Sequence, residues 1–411
     1  MGAASAPHDL GVGKIPGVAE LIAIDAARER VLAAVRPLPT EPVRLDAALG
    51  RALAEDVESS VDVPPFDSSA MDGFAVVAGP GAELRVVDES RAGHPAGTAV
   101  EEGTAVRIST GAQVPPGANA VVPVERTDSR DGAVAVPDTE PGVNVRRAGE
   151  DVRTGDTVLR AGTVLGPAEL GVLASLGRAE ARCAARPRVA LLVTGDELAE
   201  PGEPLGPGRI WSSNAYALAA QVVPTGAELV RRETVADTAQ GTRAALERAL
   251  GEADLVCVSG GVSVGPHDHV KDALAALGVE QSFWGVRLKP GKPTWFGFRE
   301  GVLVFGLPGN PVSAMVTFHL FARPALRALQ GADPGDSRAS AVLDEAFPRN
   351  PRRDQAVRVR LRAGADGLHA VPTGEQGSHM LTSMLGAGAL ALVRAGEGEV
   401  EAGERLEIEL L

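Results

Sequence analysis

Residues 253–265 read ADLVCVSGGVSVG. An apolar run of strand length stops abruptly at a serine and two glycines. A run apolar on both faces, closed by a glycine turn, suits a central parallel strand that feeds a helix. The same grammar occurs in RVALLVTGDE (188–197) and VLVFGLPGNP (302–311). Helix-like segments separate these runs: NAYALAAQVV (214–223), TAQGTRAALERALG (238–251), DHVKDALAALG (268–278) and NPVSAMVTFHLFARPALRALQ (310–330). With ELVRRETVAD (228–237) added, the alternation predicts a doubly wound α/β domain on a mostly parallel sheet, spanning residues 184–331.

The rhythm changes on either side. Upstream, FAVVAG (74–79), GTAVRISTG (103–111) and GANAVVPVE (117–125) are short Val- and Ala-rich runs broken by Gly and Pro. They predict an all-β region from about Val57 to Leu165, its centre an inserted β domain over 61–140. The remaining pieces, 15–60 and 141–183, make an elongated α+β part. Helices are expected from Val18 to about Ala34, over Leu45–Leu53, and after Pro167 with Gly177 as the stop. Downstream, AVRVRLRAG (356–364), LALVRAG (390–396) and GERLEIELL (403–411) alternate again and predict a C-terminal β barrel or sandwich over 332–411.

Composition narrows the function classes. The 411 residues carry 40 basic and 54 acidic side chains, a net charge of -14, and only 3% aromatics. An acidic surface poor in aromatics excludes a nucleic-acid binder or a stacking platform for single strands. No apolar stretch reaches the length of a membrane helix and no signal-peptide pattern opens the chain, so a cytoplasmic protein without a membrane partner is expected. Cys183 and Cys257 form neither a disulfide framework nor a CxxC pair, and Cys257 is expected to be buried in its strand.

Chemistry is expected at the carboxyl ends of the parallel strands, where open α/β sheets bind ligands. Three such ends carry unusual loops: Thr194-Gly195-Asp196-Glu197, Ser259-Gly260-Gly261-Val262-Ser263-Val264-Gly265, and Pro308-Gly309-Asn310-Pro311. SGGVSVG is neither a Walker A loop nor a dinucleotide fingerprint. LPGNP alone also suits a plain turn, with Asn310 as N-cap and Pro311 in the first helical position. Together, three glycine-rich strand ends point to a phosphate-bearing ligand. Arg287, Lys289 and Lys292 in WGVRLKPGKPTWF add positive charge. Glu197, Asp237 and Asp268 are carboxylates beside an expected anion, an arrangement that suits Mg²⁺. A second polar set lies far upstream: Asp67 in FDSSAMDGFAV, Thr110 in RISTGA, and Asp151 in VRRAGED. Its distance in sequence implies a site shared between domains or subunits.

At these motifs the chain resembles the MoeA-type molybdopterin molybdenumtransferases, a family related to the C-terminal domain of gephyrin. FDSSAMDGFAV, RISTGAQVPPGANAVVPVE, VRRAGED, LLVTGDEL, SGGVSVG, KPGKP and GLPGNPVSA occur in family order from about Ile15 to Leu411. The resemblance implies a homodimer with two active sites, each built from the α/β domain of one subunit and the inserted β domain of the other. The implied reaction inserts molybdate into adenylylated molybdopterin and releases AMP, with Mg²⁺ required. The implied catalytic residues are Asp67, Thr110, Asp151, Glu197, Asp237 and Asp268, the last three holding Mg²⁺. Substrate contacts fall on Gly260, Gly261, Ser263, Gly265, Arg287, Lys289, Lys292, Pro308, Gly309, Asn310, Pro311, Arg358 and Ser378. Some relatives carry a lysine where Gly285 stands here. Arg287, two residues on, would share its strand face and take its place. Implied partners are a molybdopterin adenylyltransferase and recipient apo-molybdoenzymes. A molybdopterin adenylyltransferase, a gephyrin-like scaffold and a tungstate-handling paralogue are the competing functions.

Overall fold

The computed structural model describes residues 21–262 and 269–411. Ser263, Gly265 and Asp268 lie outside the described residues. Two compact units divide the chain: one holds the residues up to Glu41, Gly50–Ala52 and Ala184–Leu411, the other Pro42–Leu49 and Leu53–Cys183.

In the first unit a six-stranded sheet runs in the order Glu228–Val235, Arg188–Thr194, Leu255–Ser259, Val302–Leu307, Trp295–Arg299, Glu280–Trp284. Its first four strands are parallel, and the last two run antiparallel as a hairpin-like edge. Strand periodicity sorts the side chains. Val189, Leu191 and Val193 join one core, and Ala190 and Leu192 the other. Each of the buried valines and leucines contributes roughly 1.5–3 kcal/mol. Helices Ser213–Val222 and Pro311–Thr317 cover the first face, Ala239–Glu252 and His269–Ala276 the second. This is the doubly wound arrangement. Cys257 is buried within it, and burial pushes its thiol well above the ordinary range, so it is inert packing.

The chain steps from Arg188–Thr194 to one neighbour, then crosses back to Leu255–Ser259 on the other side. That reversal makes the carboxyl ends of Arg188–Thr194 and Leu255–Ser259 the switch point, where a crevice must open.

The C-terminal barrel belongs to the same unit. The long strand Asp354–Gly364 pairs through Gln355–Val359 with Ala389–Val393 and through Val359–Gly364 with Gly367–Pro372. Arg405–Leu410 and Arg338–Leu343 complete the ring, so the region is a closed barrel rather than a sandwich. Leu288–Lys289 adds to it by pairing in parallel with Asp354–Gln355, which ties the lysine-bearing turn of the α/β region to the barrel. Ala356, Leu390 and Leu392 share a core with the helices of the sheet.

The second unit contains a six-stranded sheet, Ala120–Pro123, Gly73–Val76, Thr104–Ile108, Ala82–Ser90, Ala133–Val136, Asp128–Arg130. Its two faces bury separate clusters, one around Phe74 and Val134, the other around Val106 and Ile108. Helix Pro167–Ser175 packs Leu173 beside Leu53 and Leu165, and Gly177 stops it with φ +73°.

Two expected helices differ. The first begins at Ile24, because Ile22 pairs with the backbone of Gly285 and Arg287 instead. Only a single 3₁₀ turn, Leu45–Ala47, forms within 45–53. Leu53 and Ala54 donate their N–H groups to Thr163 and Arg182 carbonyls, so tertiary pairing takes the donors a helix needs.

Candidate active site

A cleft of about 380 Å³ opens at the switch point. All three strand-end loops line it, through Thr194, Glu197, Gly260, Gly261, Pro308 and Gly309, and Asp237 and Pro311 join them. Glycine is required twice by close approach. At Gly260 (φ +96°) a Cβ would sit 2.7 Å from the Thr194 carbonyl oxygen, and at Gly261 (φ +64°) 2.6 Å from Val270 Cγ2. Larger residues would force the strand ends apart.

Asn214 stitches two loops. Its Nδ2 donates to Ser259 Oγ (2.9 Å) and to the Gly309 carbonyl (2.7 Å), while Ser259 Oγ donates to the Pro308 carbonyl (3.2 Å). Asp196 and Asp237 brace one another. The Asp237 N–H donates to Asp196 Oδ1 (3.0 Å), and the Asp196 N–H to Asp237 Oδ2 (3.3 Å). Glu197 folds back over Gly195, whose Cβ would lie 2.6 Å from Glu197 Oε2. Glu197 and Asp237 therefore reach one cleft, and Asp196 is engaged as their support.

Two hydroxyls there lack partners. Thr194 Oγ1 and Ser212 Oγ are buried with no hydrogen-bond partner among the described residues, and both residues line the cleft. A buried unpaired hydroxyl costs about 1–3 kcal/mol, so this pair marks where a polar ligand restores hydrogen bonds. Among the described residues no three His, Cys, Asp or Glu side chains converge as a metal site. Glu197 and Asp237 are hard oxygen donors facing the same polar cavity, and that chemistry fits Mg²⁺.

The barrel reaches the third loop. Asn310 occupies the N-cap position of Pro311–Thr317 but makes no capping bond. Its Nδ2 donates to Ser378 Oγ (3.1 Å), and the Val312 N–H donates to the Ser378 carbonyl. Arg358 is fully buried behind that loop. Its guanidinium donates to Ser383 Oγ and the Gly377 carbonyl, Nη1 has no partner among the described residues, and burial lowers its pKa to about 10. Arg358 stays charged at neutral pH and anchors the Ser378 loop.

Arg287, Lys289 and Lys292 are exposed on the turn that contributes Pro293 to the cleft wall. Gly285 and Arg287 flank Val286, which pairs in parallel with Ile22, so both stand on one ladder. Gly285 has φ +90°, and a Cβ there would lie 2.7 Å from Leu21 Cδ2, so a side chain at 285 would displace Leu21.

In the second unit three loops converge. Asp67 accepts from the Ala148 N–H (2.9 Å) and Arg147 Nη1 (2.6 Å), which hold its carboxyl below the usual range, the backbone N–H contributing most. Asp72 Oδ1 accepts from the Thr110 N–H (2.7 Å), and the Asp151 N–H donates to the Val63 carbonyl. Asp67, Thr110 and Asp151 thus belong to one loop cluster. Sequence reasoning missed Ser212 and Asn214. The polar SSN run opening an otherwise apolar helix was their only signal.

Comparisons agree with this geometry. Residues 22–177 match the model of the MoeA N-terminal region (domain I and II), 190–328 that of the probable molybdopterin binding domain, and 340–411 that of the MoeA C-terminal region (domain IV). The chain is 40% identical over 397 residues to molybdopterin molybdenumtransferase 2 of Mycobacterium tuberculosis, covering 92% of this chain and 96% of that protein. It is 37% identical over 398 residues to the molybdopterin molybdenumtransferase of Haemophilus influenzae, covering 95% and 98%. The molybdopterin biosynthesis MoeA protein of Pyrococcus horikoshii OT3 superposes with a TM-score of 0.81 at 30% identity, over 95% of this chain and 100% of that one. The chain belongs to the MoeA family, whose curated relatives are named molybdopterin molybdenumtransferases.

Proposed function

We propose that the protein inserts molybdate into adenylylated molybdopterin and releases AMP, a step of molybdenum cofactor biosynthesis. The observation that carries this is the switch-point cleft, where Glu197 and Asp237 face glycine-rich backbone and two buried hydroxyls without partners among the described residues. Thr194 and Ser212 hydrogen-bond the phosphate-bearing substrate, and the Gly260–Gly261 and Pro308–Gly309 turns let it approach the backbone closely. Lys289 and Lys292, with Arg287 beyond them, offset the charge of molybdate and the phosphates. Ser378, held by Asn310 on the loop that Arg358 anchors through the Gly377 carbonyl, orients the incoming oxyanion. Glu197 and Asp237 would hold Mg²⁺ with Asp268, and the bound ion supplies positive charge that polarises the phosphoanhydride.

The loop cluster of the second unit completes the reading. Asp67, kept ionised by Arg147 and Ala148, joins Thr110 and Asp151 in covering the cleft of a second protomer in a homodimer, where they position substrate and handle protons during oxo-ligand exchange. The protein then works in the cytoplasm, between the adenylyltransferase that makes its substrate and the apo-molybdoenzymes that receive its product. No helix among the described residues is long and apolar enough to cross a membrane.

Glu197→Ala tests the cleft. AMP release is abolished while the thermal melt and far-ultraviolet circular dichroism stay those of the parent. Near-normal turnover in that variant sinks the carboxylate assignment.

A further inference from the structure

A second cavity, of about 430 Å³, lies where the segment after Pro311 passes the barrel, and it shares no lining residue with the switch-point cleft. Gln221, Met315, Phe318, His319, Arg323 and Met384 form much of its wall. Its backbone is unusual. Between Pro311–Thr317 and Arg323–Leu329 the helix widens into a π-helical turn, Phe318–Ala322. Pro324 has no N–H to return to the Leu320 carbonyl, which accepts from Arg28 Nε instead (3.2 Å). Such widened turns mark functional positions more often than ordinary helix does. This one carries Phe318 and His319 on the cavity wall.

The polar groups there are incompletely used. His319 is 5% exposed, and its Nε2 has no partner among the described residues. Gln221 Oε1 is likewise buried and unpaired. Asp336 is shared by Arg323 (2.7 Å) and Arg327 (2.8 Å), and Glu409 by Arg28 and Arg338. Of these groups Arg323 and Asp336 line the cavity itself, and the remaining arginines and Glu409 stand outside its lining. Arg28 Nη1 and Arg327 Nε are buried without partners among the described residues. Beside these lie the apolar surfaces of Met315, Phe318, Met384 and Leu410.

We propose that this cavity is a second ligand site, which takes a small carboxylate with an apolar body. The carboxylate lies between Arg323 and His319, and the body packs on Met315, Phe318 and Met384. A hydroxyl on that body meets Gln221 Oε1. The site stands apart from the proposed molybdate chemistry and does not depend on it.

Binding is coupled to a proton. His319 is held neutral, its pKa lowered to about 4 by burial first and then by Arg323 and Arg28, against the opposing pull of Glu409 and Asp336. An anion beside the ring reverses the effect of the arginines and favours the imidazolium. Affinity therefore rises as pH falls from 7 towards 5, and binding takes up protons.

The test uses the full chain, 3-hydroxybenzoate as probe and its uncharged amide as control. Calorimetry at pH 6 in two buffers of different ionisation heat is expected to show one saturable site, at least tenfold preference for the carboxylate, and proton uptake. His319→Gln loses the uptake and weakens binding at least fivefold, with AMP release unchanged. Gln221→Leu, at a half-buried position, weakens the hydroxylated probe relative to benzoate and guards against a folding defect at 319. Absence of saturable binding overturns the proposal, whether the cavity is simply empty or a second copy of the chain covers it. So does equal binding of the amide, undiminished uptake in His319→Gln, or displacement by adenylylated molybdopterin, which would put the probe in the switch-point cleft.

Discussion

Asn214→Ala separates the strand-end loops without touching a carboxylate or a glycine. Asn214 is buried, and its single amide donor group holds Ser259 Oγ and the Gly309 carbonyl together. Each hydrogen bond contributes about 0.5–1.5 kcal/mol net, and Gly309 is exposed, so water can take over its carbonyl. The two bonds together come to about 1–3 kcal/mol for alanine. For a unit of this size that corresponds to a lowering of Tm by roughly 2–9 °C. Ser259→Ala removes only one branch and costs about 1 kcal/mol. Asn214→Asp keeps the shape but sets an acceptor against the Gly309 carbonyl, so it destabilises at least as much as alanine. The functional loss exceeds the stability loss, because a displacement of about 1 Å in a positioning loop costs on the order of 100-fold in rate. Thermal melts, hydrogen exchange over residues 308–311 and AMP release measured on the same preparations check this. Unchanged melting and unchanged exchange at 308–311 in Asn214→Ala would refute the stitch.

Three other perturbations have defined outcomes. Gly260→Ala places a Cβ 2.7 Å from the Thr194 carbonyl at φ +96°; strain and overpacking together cost about 2–5 kcal/mol in a denaturant titration. The Asp67 carboxyl is depressed in the folded state, chiefly by the Ala148 N–H. Its contribution is complete above the ordinary carboxylate pKa and is lost as pH falls through the lower folded value. The Ala148 amide resonance is expected to move in that acid window in the parent and to stay put in Asp67→Asn. Arg358→Met frees the loop carrying Ser378, and AMP release falls about tenfold or more while the barrel stays folded by circular dichroism.

What the sequence disclosed follows from how local each signal is. The parallel strands were legible because Val189 to Val193 and Leu255 to Val258 are apolar on both faces, and the glycines after them mark the turns. Glu197 and Asp237 were legible as carboxylates at strand ends, and both line the cleft. Asn310 was legible as a cap, yet its side chain turns to Ser378, a contact across 68 positions that no local pattern encodes. The helix expected over 45–53 gave way to backbone pairing with Thr163 and Arg182, again over long separations. Spacing gave no sign that Gly285 is left-handed and packed against Leu21. The π turn at Phe318–Ala322 had one visible trace, Pro324 inside a helix-like run, and its Arg28 partner comes from the far end of the chain.

Reconstitution tests the central claim most directly. Purified protein is combined with adenylylated molybdopterin, Mg²⁺, an apo-molybdoenzyme and either molybdate or tungstate, and AMP is quantified beside enzyme activation. The switch-point cleft predicts AMP release that depends on the oxyanion and matches the cofactor formed, with the two oxyanions ranking the metal preference. Failure of both oxyanions to yield active cofactor and AMP would contradict the account.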